Sequence, residues 1–254
     1  MKLNARYILI LVLLSFFTFE TFSQDAAKFD KGTGEYSSGN YKEALEIWLE
    51  IYNTGYRAAN LHYNIGNAYF KLQDIPNAIL FYERAYLLDP ADENINYNHG
   101  IARSLTVDRF QEIPEFFFVR WFNFIALILH GNTWGIISLI AFILWLVCLS
   151  IYIYSSSYMT KVLGFWFAIF TFSVSVASIS FSWQNQTLVY DSHKAIIMDP
   201  LVSGKSSPDT SGTDLFVLHE GTRVSVGEEV GEWYEIRLSD GNKGWVPVSC
   251  LKII

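Results

Sequence analysis

Two uncharged stretches set the terms for this chain. Trp134 to Tyr154 reads WGIISLIAFILWLVCLSIYIY, and Val162 to Ser182 reads VLGFWFAIFTFSVSVASISFS; neither contains Asp, Glu, Lys or Arg. As a helix rising ~1.5 Å per residue, each spans roughly 30 Å, the thickness of the bilayer hydrocarbon. The rest of a 254-residue chain cannot wrap two such helices as buried core. The pattern therefore predicts a transmembrane hairpin, with spans at 134–154 and 162–182. The link between them, SSSYMTK, is too short to hold a domain. A hairpin returns the chain to the side it came from, so the segments before and after it share one compartment.

The N-terminus carries a targeting pattern. Lys2 and Arg6 precede an apolar run from Tyr7 to Phe19, and Thr21 and Ser23 supply small residues just before Gln24. This is the layout of a secretory signal peptide over residues 1–23. Whether it is cleaved or kept as an anchor, the chain from Gln24 onward lies on the outer side of the membrane.

Residues 25–109 repeat themselves every 34 positions. Gly32, Gly66 and Gly100 share this spacing, as do Phe29, Tyr63 and Tyr97, and Asp30, Asn64 and Asn98. Tyr36 aligns with Phe70, Asn40 with Asp74, Ala44 with Ala78, and Trp48 with Tyr82. The stretch LHYNIGNAYFKLQDIPNAILFYERAYLLDP resembles the tetratricopeptide repeat, in which each unit is a pair of antiparallel helices. Small residues at Gly66 and Ala78 suit a close helix crossing. Tyr82 and Trp48 fill the space between units, Pro90 stops a helix, and Asp74 and Asn40 suit capping positions. The third copy has only its first helix. By offset, the inner faces of the first helices form a groove of Phe29, Thr33, Tyr36, Tyr63, Asn67, Phe70, Lys71, Tyr97 and Ile101. Aromatics flanked by Asn and Lys suit a peptide with an apolar anchor, although Tyr63 and Tyr97 serve equally well as packing between helices.

After Arg109 the character changes. Pro114 breaks the helix, and FFFVRWFNFIALIL follows with Arg120 as its one charge. This segment is short for a span and too apolar for a free linker. It reads as an interfacial segment over 114–130, with Trp121 and the phenylalanines at headgroup level. The rival reading makes it a third span, which would invert everything after it.

From residue 190 to 254 the pattern turns to short strands. AIIM, DLFVL, TRVSVGEEV, WYEIRL and KGWVPV alternate or run apolar, and Asp240-Gly241 marks a hairpin. The pieces EGTRVSV, GEWYEIRLSDG and GWV, with the final CLKII, resemble a bacterial SH3-like domain. Gly204 departs from that pattern in the opening strand, and Gly244 reads as the residue that lets the strand turn into Trp245. Trp233, Tyr234 and Trp245 are candidates for a protein- or wall-binding surface; Tyr234 and Trp245 serve at least as well in packing, and Trp233 is the better candidate for exposure. The surrounding glutamates make this module acidic.

The fold class is thus a multi-domain membrane protein: an all-α tetratricopeptide-repeat array, a transmembrane helical hairpin and a C-terminal all-β SH3-like barrel. With a net charge of −7, nothing suggests nucleic acid. Cys148 and Cys250 are too far apart in this layout to pair, and no metal spacing appears. No nucleophile elbow, phosphate loop or zinc-protease motif is present. The chain reads as non-enzymatic, with no cofactor, no catalytic residue and no metal ligand.

The order of parts, together with GNAYFKL, PEFFFVRWF and WVPVSCLKII, resembles the BatE family of the Bacteroides aerotolerance operon. The resemblance implies an inner-membrane, periplasm-facing protein of Bacteroidetes whose partners are the other Bat-operon membrane proteins. The leading expectation is a scaffold that presents two binding modules on the membrane's outer face. A cell-wall anchor whose SH3-like domain recognises peptidoglycan is the alternative. The sequence does not fix the oligomeric state.

Overall fold

The computed structural model describes residues 26–110, 116–190 and 193–254. The expected signal peptide, residue 25 of the repeat region, residues 114–115 of the expected interfacial segment and residues 191–192 of the C-terminal module lie outside the described residues.

Five helices come first: α1 (residues 26–37), α2 (Tyr41–Asn53), α3 (Ala59–Lys71), α4 (Ile75–Leu88) and α5 (Glu93–Ser104). They form two helix pairs and a single closing helix, as the 34-residue period predicts. Asp74 caps α4, accepting from the Asn77 amide at 3.2 Å, and Asp92 caps α5 through the Asn94 and Ile95 amides. Asn40 precedes α2 but does not cap it. Its side-chain amide donates instead to the Glu35 carboxylate at 2.8 Å.

The repeated glycines have a direct packing reason. A Cβ on Gly66 would sit 2.7 Å from the Tyr82 ring, and one on Gly32 2.5 Å from the Trp48 indole. Each glycine therefore lets the aromatic of the following helix lie against backbone. Gly100 has no such partner, and a Cβ there meets nothing within 4 Å. Gly66→Ala is expected to destabilise the repeats by about 1–3 kcal/mol, because the Tyr82 ring must shift in a filled core. Gly100→Ala is expected to stabilise α5 by up to about 1 kcal/mol through helix propensity. Amide hydrogen exchange of α3 to α5 in the two variants checks both signs.

Next come α6 (Phe117–Ile128), α7 (Gly131–Tyr154) and α8 (Tyr158–Tyr190). Helices α7 and α8 are both long and apolar enough to cross a membrane, and they pack along each other as a hairpin. Ser138 and Ser175 lock the pair, each hydroxyl donating to the other residue's carbonyl at 2.9 and 3.0 Å. The outward side chains are uncovered, among them Ile136, Leu139, Phe167 and Phe170. Helix α8 continues eight residues past the expected end at Ser182. In that extension Asn185 is buried and holds the corner between α6 and α7. It accepts from the Gly131 amide and donates to the Ala126 and Leu129 carbonyls. Helix α6 lies against α8, with Phe122 on Phe181 and Gln184 donating to Asn123. Phe117, Phe118, Trp121 and Phe124 remain exposed on its other side.

The C-terminal module is a seven-stranded antiparallel sheet: β1 (Lys194–Ile197), β2 (Leu201–Lys205), β3 (Asp214–His219), β4 (Arg223–Val230), β5 (Trp233–Arg237), β6 (Lys243–Pro247) and β7 (Leu251–Ile253). The strand order is β3-β2-β6-β5-β4-β1-β7. Ala195, Ile197, Val202, Leu218, Val224, Ile236, Val246 and Leu251 share one core, so the sheet curls on itself. The Phe216 ring lies on the backbone of Gly204, and a Cβ at Gly244 would sit 2.8 Å from the same ring. Gly244 therefore serves close packing rather than a turn. Gly204 has the same role, and the register of β2 against β3 shifts just after it.

Candidate recognition groove and module joint

The first helix of each repeat presents one face to a common groove. Tyr36 of α1, Tyr63, Asn67, Phe70 and Lys71 of α3, Tyr82 of α4, and Asn98 and Ile101 of α5 line a cavity of about 370 Å³. Its floor is a polar chain. The Tyr82 hydroxyl donates to Asn67 Oδ1 at 2.7 Å, and Asn98 Nδ2 reaches both Asn67 Oδ1 and the Tyr63 hydroxyl at 2.9 Å. These bonds occupy the Asn67 carbonyl oxygen. Burial pushes the Tyr82 hydroxyl far above the ordinary tyrosine range, so it stays protonated and keeps donating. Lys71 is exposed and makes no ion pair among the described residues. The groove thus offers aromatic walls, side-chain amides and one cation.

Of the expected groove residues, Tyr36, Tyr63, Asn67, Phe70, Lys71 and Ile101 come together. Phe29 instead packs on Trp48, and the Thr33 hydroxyl bonds back to the Phe29 carbonyl. Tyr97 is 70% exposed and does not line the cavity. Tyr82 and Asn98 were not among the expected residues. Tyr82 is buried between α3 and α4 as filler, yet its hydroxyl emerges on the groove floor. The 34-residue register aligns Asn98 with Asn64, which does not line the cavity, so it carried no signal for Asn98.

The aromatics of the sheet divide between two faces. Tyr234 pairs with Val246 and packs on the barrel core, whereas Glu235 pairs with Trp245 and Trp233 with Pro247. Trp233 and Trp245 therefore share the outer face, and Tyr234 points the other way. All three are half-buried. Cys250 is buried, and burial pushes its thiol up to about 12. Its Sγ donates to the Pro247 carbonyl. A thiol held protonated in this way is no nucleophile at neutral pH. Among the described residues no cluster of three or more His, Cys, Asp or Glu could hold a metal ion.

The two modules touch. Strand β1 is buried on both faces: Ala195 and Ile197 belong to the barrel core, while Ile196, fully buried, belongs to the repeat core with Ile79, Leu80 and Phe81. Around this plug lie polar contacts. Arg84 donates to the Ile253 carbonyl at 2.6 Å and Lys252 to Asn77 at 3.1 Å. Asp108, just after α5, accepts from the His219 amide, the His219 ring and the Thr222 hydroxyl at 2.7–2.8 Å. Glu83 is 3% exposed, with Arg223 of the barrel at 3.2 Å and His99 of the repeats at 3.1 Å. Burial alone would raise the Glu83 carboxyl, but His99, Arg223 and Arg103 hold it down at about 2. The barrel sits on α4 and the end of α5, and no barrel residue lines the groove.

The architecture defines a class: a helical-repeat recognition module docked to a small SH3-like barrel, with a hairpin of two long apolar helices between them in sequence. Comparison with known families agrees on both modules. The tetratricopeptide repeat model matches residues 59–92, and the bacterial SH3 domain model matches residues 205–252. Among the curated proteins no match is found.

Proposed function

We propose that this chain is a non-catalytic, membrane-anchored adaptor whose repeat groove holds an extended segment of a protein partner. The observation that carries this reading is the open cavity between Tyr36, Phe70 and Asn98, which the barrel leaves uncovered while docking on α4. An apolar side chain of the segment would enter between the aromatics. Its backbone or a carboxylate would receive a bond from Lys71. Helices α7 and α8 span the membrane in this reading, since their outward apolar side chains have no protein cover. Helix α6, only 12 residues long, lies at the membrane surface with its exposed aromatics among the headgroups. Both modules then face the periplasm of the inner membrane, and the resemblance to the BatE family points to other Bat-operon membrane proteins as partners. Tethering raises the effective concentration of the groove for such partners.

The test is a pull-down from native membranes with the Tyr36→Ala, Phe70→Ala, Lys71→Ala triple variant. A membrane partner recovered with the parent chain is expected to fall at least tenfold. Equal recovery of every partner would remove the groove from this role.

A second reading makes the barrel a peptidoglycan-binding anchor. The pair Trp233 and Trp245 on one outer face favours it, because stacked aromatics suit sugar or peptide contacts. The full chain in detergent should then sediment with purified sacculi and lose that property on Trp233→Ala.

A further inference from the structure

A second cavity, of about 230 Å³, lies where the repeats meet the apolar hairpin. Three parts of the chain form it: the end of α4 at residues 87–90, the corner between α6 and α7 at residues 127–132, and the extension of α8 at Asn185, Gln186 and Val189. Two of these walls are fixed to each other. Asn185, 7% exposed, bonds to the Gly131 amide and to the Ala126 and Leu129 carbonyls, so α8 and the corner hold one shape. The lining contains no Lys or Arg, and its one carboxylate is Asp89. Asp74 and Asp92 cap helices, but among the described residues nothing donates to the Asp89 side chain. Asp89 stands at the C-terminal end of α4, whose last turn has no basic residue. Pro90 lacks an N–H and cannot close that turn on the Tyr86 carbonyl. The partial negative charge of a helix C-terminus thus adds to the carboxylate.

The start of α7 gives the same cavity the opposite sign. His130 and Asn132 line it there, and a helix N-terminus carries partial positive charge. A cavity with a negative and a positive end suits a zwitterion, its cation at Asp89 and its anion at the start of α7. The position of the cavity selects the source. With α7 and α8 spanning the membrane and α6 on its surface, the first turn of α7 lies at headgroup level. Ile128 lines the cavity and is 53% exposed, so the cavity adjoins apolar surface against which acyl chains would lie. We infer that this cavity binds one phospholipid headgroup bearing a primary ammonium and a phosphate, as in phosphatidylethanolamine. The ammonium donates to the Asp89 carboxylate and to carbonyls at the end of α4, and the phosphate faces His130 and Asn132. A primary ammonium has three hydrogens to donate there, whereas a quaternary choline group has none. A lipid held this way touches the repeats and the hairpin at once, and so fixes the array to the membrane surface. The inference rests on the membrane reading of α7 and α8 and is independent of the peptide groove.

Lipid retention by the full chain tests the inference. The chain is incorporated into nanodiscs holding equal parts of dioleoyl phosphatidylethanolamine, phosphatidylcholine and phosphatidylglycerol, then released for native mass spectrometry. One phosphatidylethanolamine per chain is expected to persist. Its enrichment over each of the other two should be at least about tenfold, the scale of one charge-assisted hydrogen bond. Asp89→Asn, nearly isosteric, should abolish the enrichment, and His130→Ala should reduce it to a lesser degree. Glu46→Gln, an equal change of charge on exposed α2, should preserve it. Free O-phosphoethanolamine in large excess should not displace the lipid. Failure of the chain to enter nanodiscs would overturn the membrane reading and this site with it. Entry without selective retention, retention that Asp89→Asn leaves intact, or displacement by phosphoethanolamine would overturn the lipid site alone.

Discussion

Glu83→Ala is expected to cost about 2–4 kcal/mol and to loosen the barrel from the repeats. Removing one member of a buried ion group leaves its partners uncompensated, which typically costs about 3–5 kcal/mol. The lower range applies here because the Arg223 side chain is 30% exposed and recovers part of its hydration. His99, with a 10% exposed side chain, recovers little. The loss should appear as faster amide exchange in α4, α5 and β1, with smaller change in β5 and β6. Glu83→Gln keeps the volume and should cost less. An exchange profile shifted by under about 0.5 kcal/mol at β1 would show that the ion group does not hold the joint.

Acid is expected to weaken the repeats through His62. This ring is 3% exposed and lies against Tyr52 and Phe81. Burial, helped by the Arg84 and Arg57 charges, lowers it from 6.5 to about 4. The unfolded chain therefore binds a proton at a pH where the folded chain does not. Stability is full above about 6.5 and is lost as pH falls toward 4; at ~1.4 kcal/mol per unit the loss reaches about 3 kcal/mol. Glu83 adds a separate loss that begins only below its ordinary value of 4.5. Exchange of α3 and α4 amides at pH 7 and 5, corrected for intrinsic rates, measures the first effect. His62→Leu should abolish most of the difference. A variant as pH-sensitive as the parent would place the acid response elsewhere.

The parts of this fold that were legible are those whose contacts are short in sequence. Gly66 meets Tyr82, and Gly32 meets Trp48, within one helix pair. Such pairs must recur with the repeat, so the 34-residue period exposes them. The two long apolar helices were legible for a different reason, since composition alone sets them apart. The joint was hidden because its contacts join distant segments. Glu83 and Arg223 are 140 residues apart, and each alone reads as a surface charge. One trace of it was present: the strand AIIM runs apolar instead of alternating, as a strand covered on both faces must. Ile196 is the residue that made it so.

The groove was partly legible. The offset rule finds the side chains that project from α3 but not Tyr82, whose ring fills the interior between helices while its hydroxyl alone reaches the groove floor. It also overcounts at the open ends of the array. Phe29 has Trp48 to cover it, and Tyr97 has no following helix pair to shape a wall around it. A short array therefore concentrates its groove on the central helix α3, with Tyr36 and Ile101 as its two borders.

The most direct test of the adaptor reading is site-specific photo-crosslinking in native membranes. A photoreactive residue is placed at Phe70 in the groove and, separately, at Glu46 on exposed α2. The account predicts a crosslink from position 70 to an extended segment of one membrane protein, located by peptide mass spectrometry and lost on Tyr36→Ala. Position 46 should give no such product. Identical patterns from the two positions, or a product at position 70 that persists in Tyr36→Ala, would contradict it.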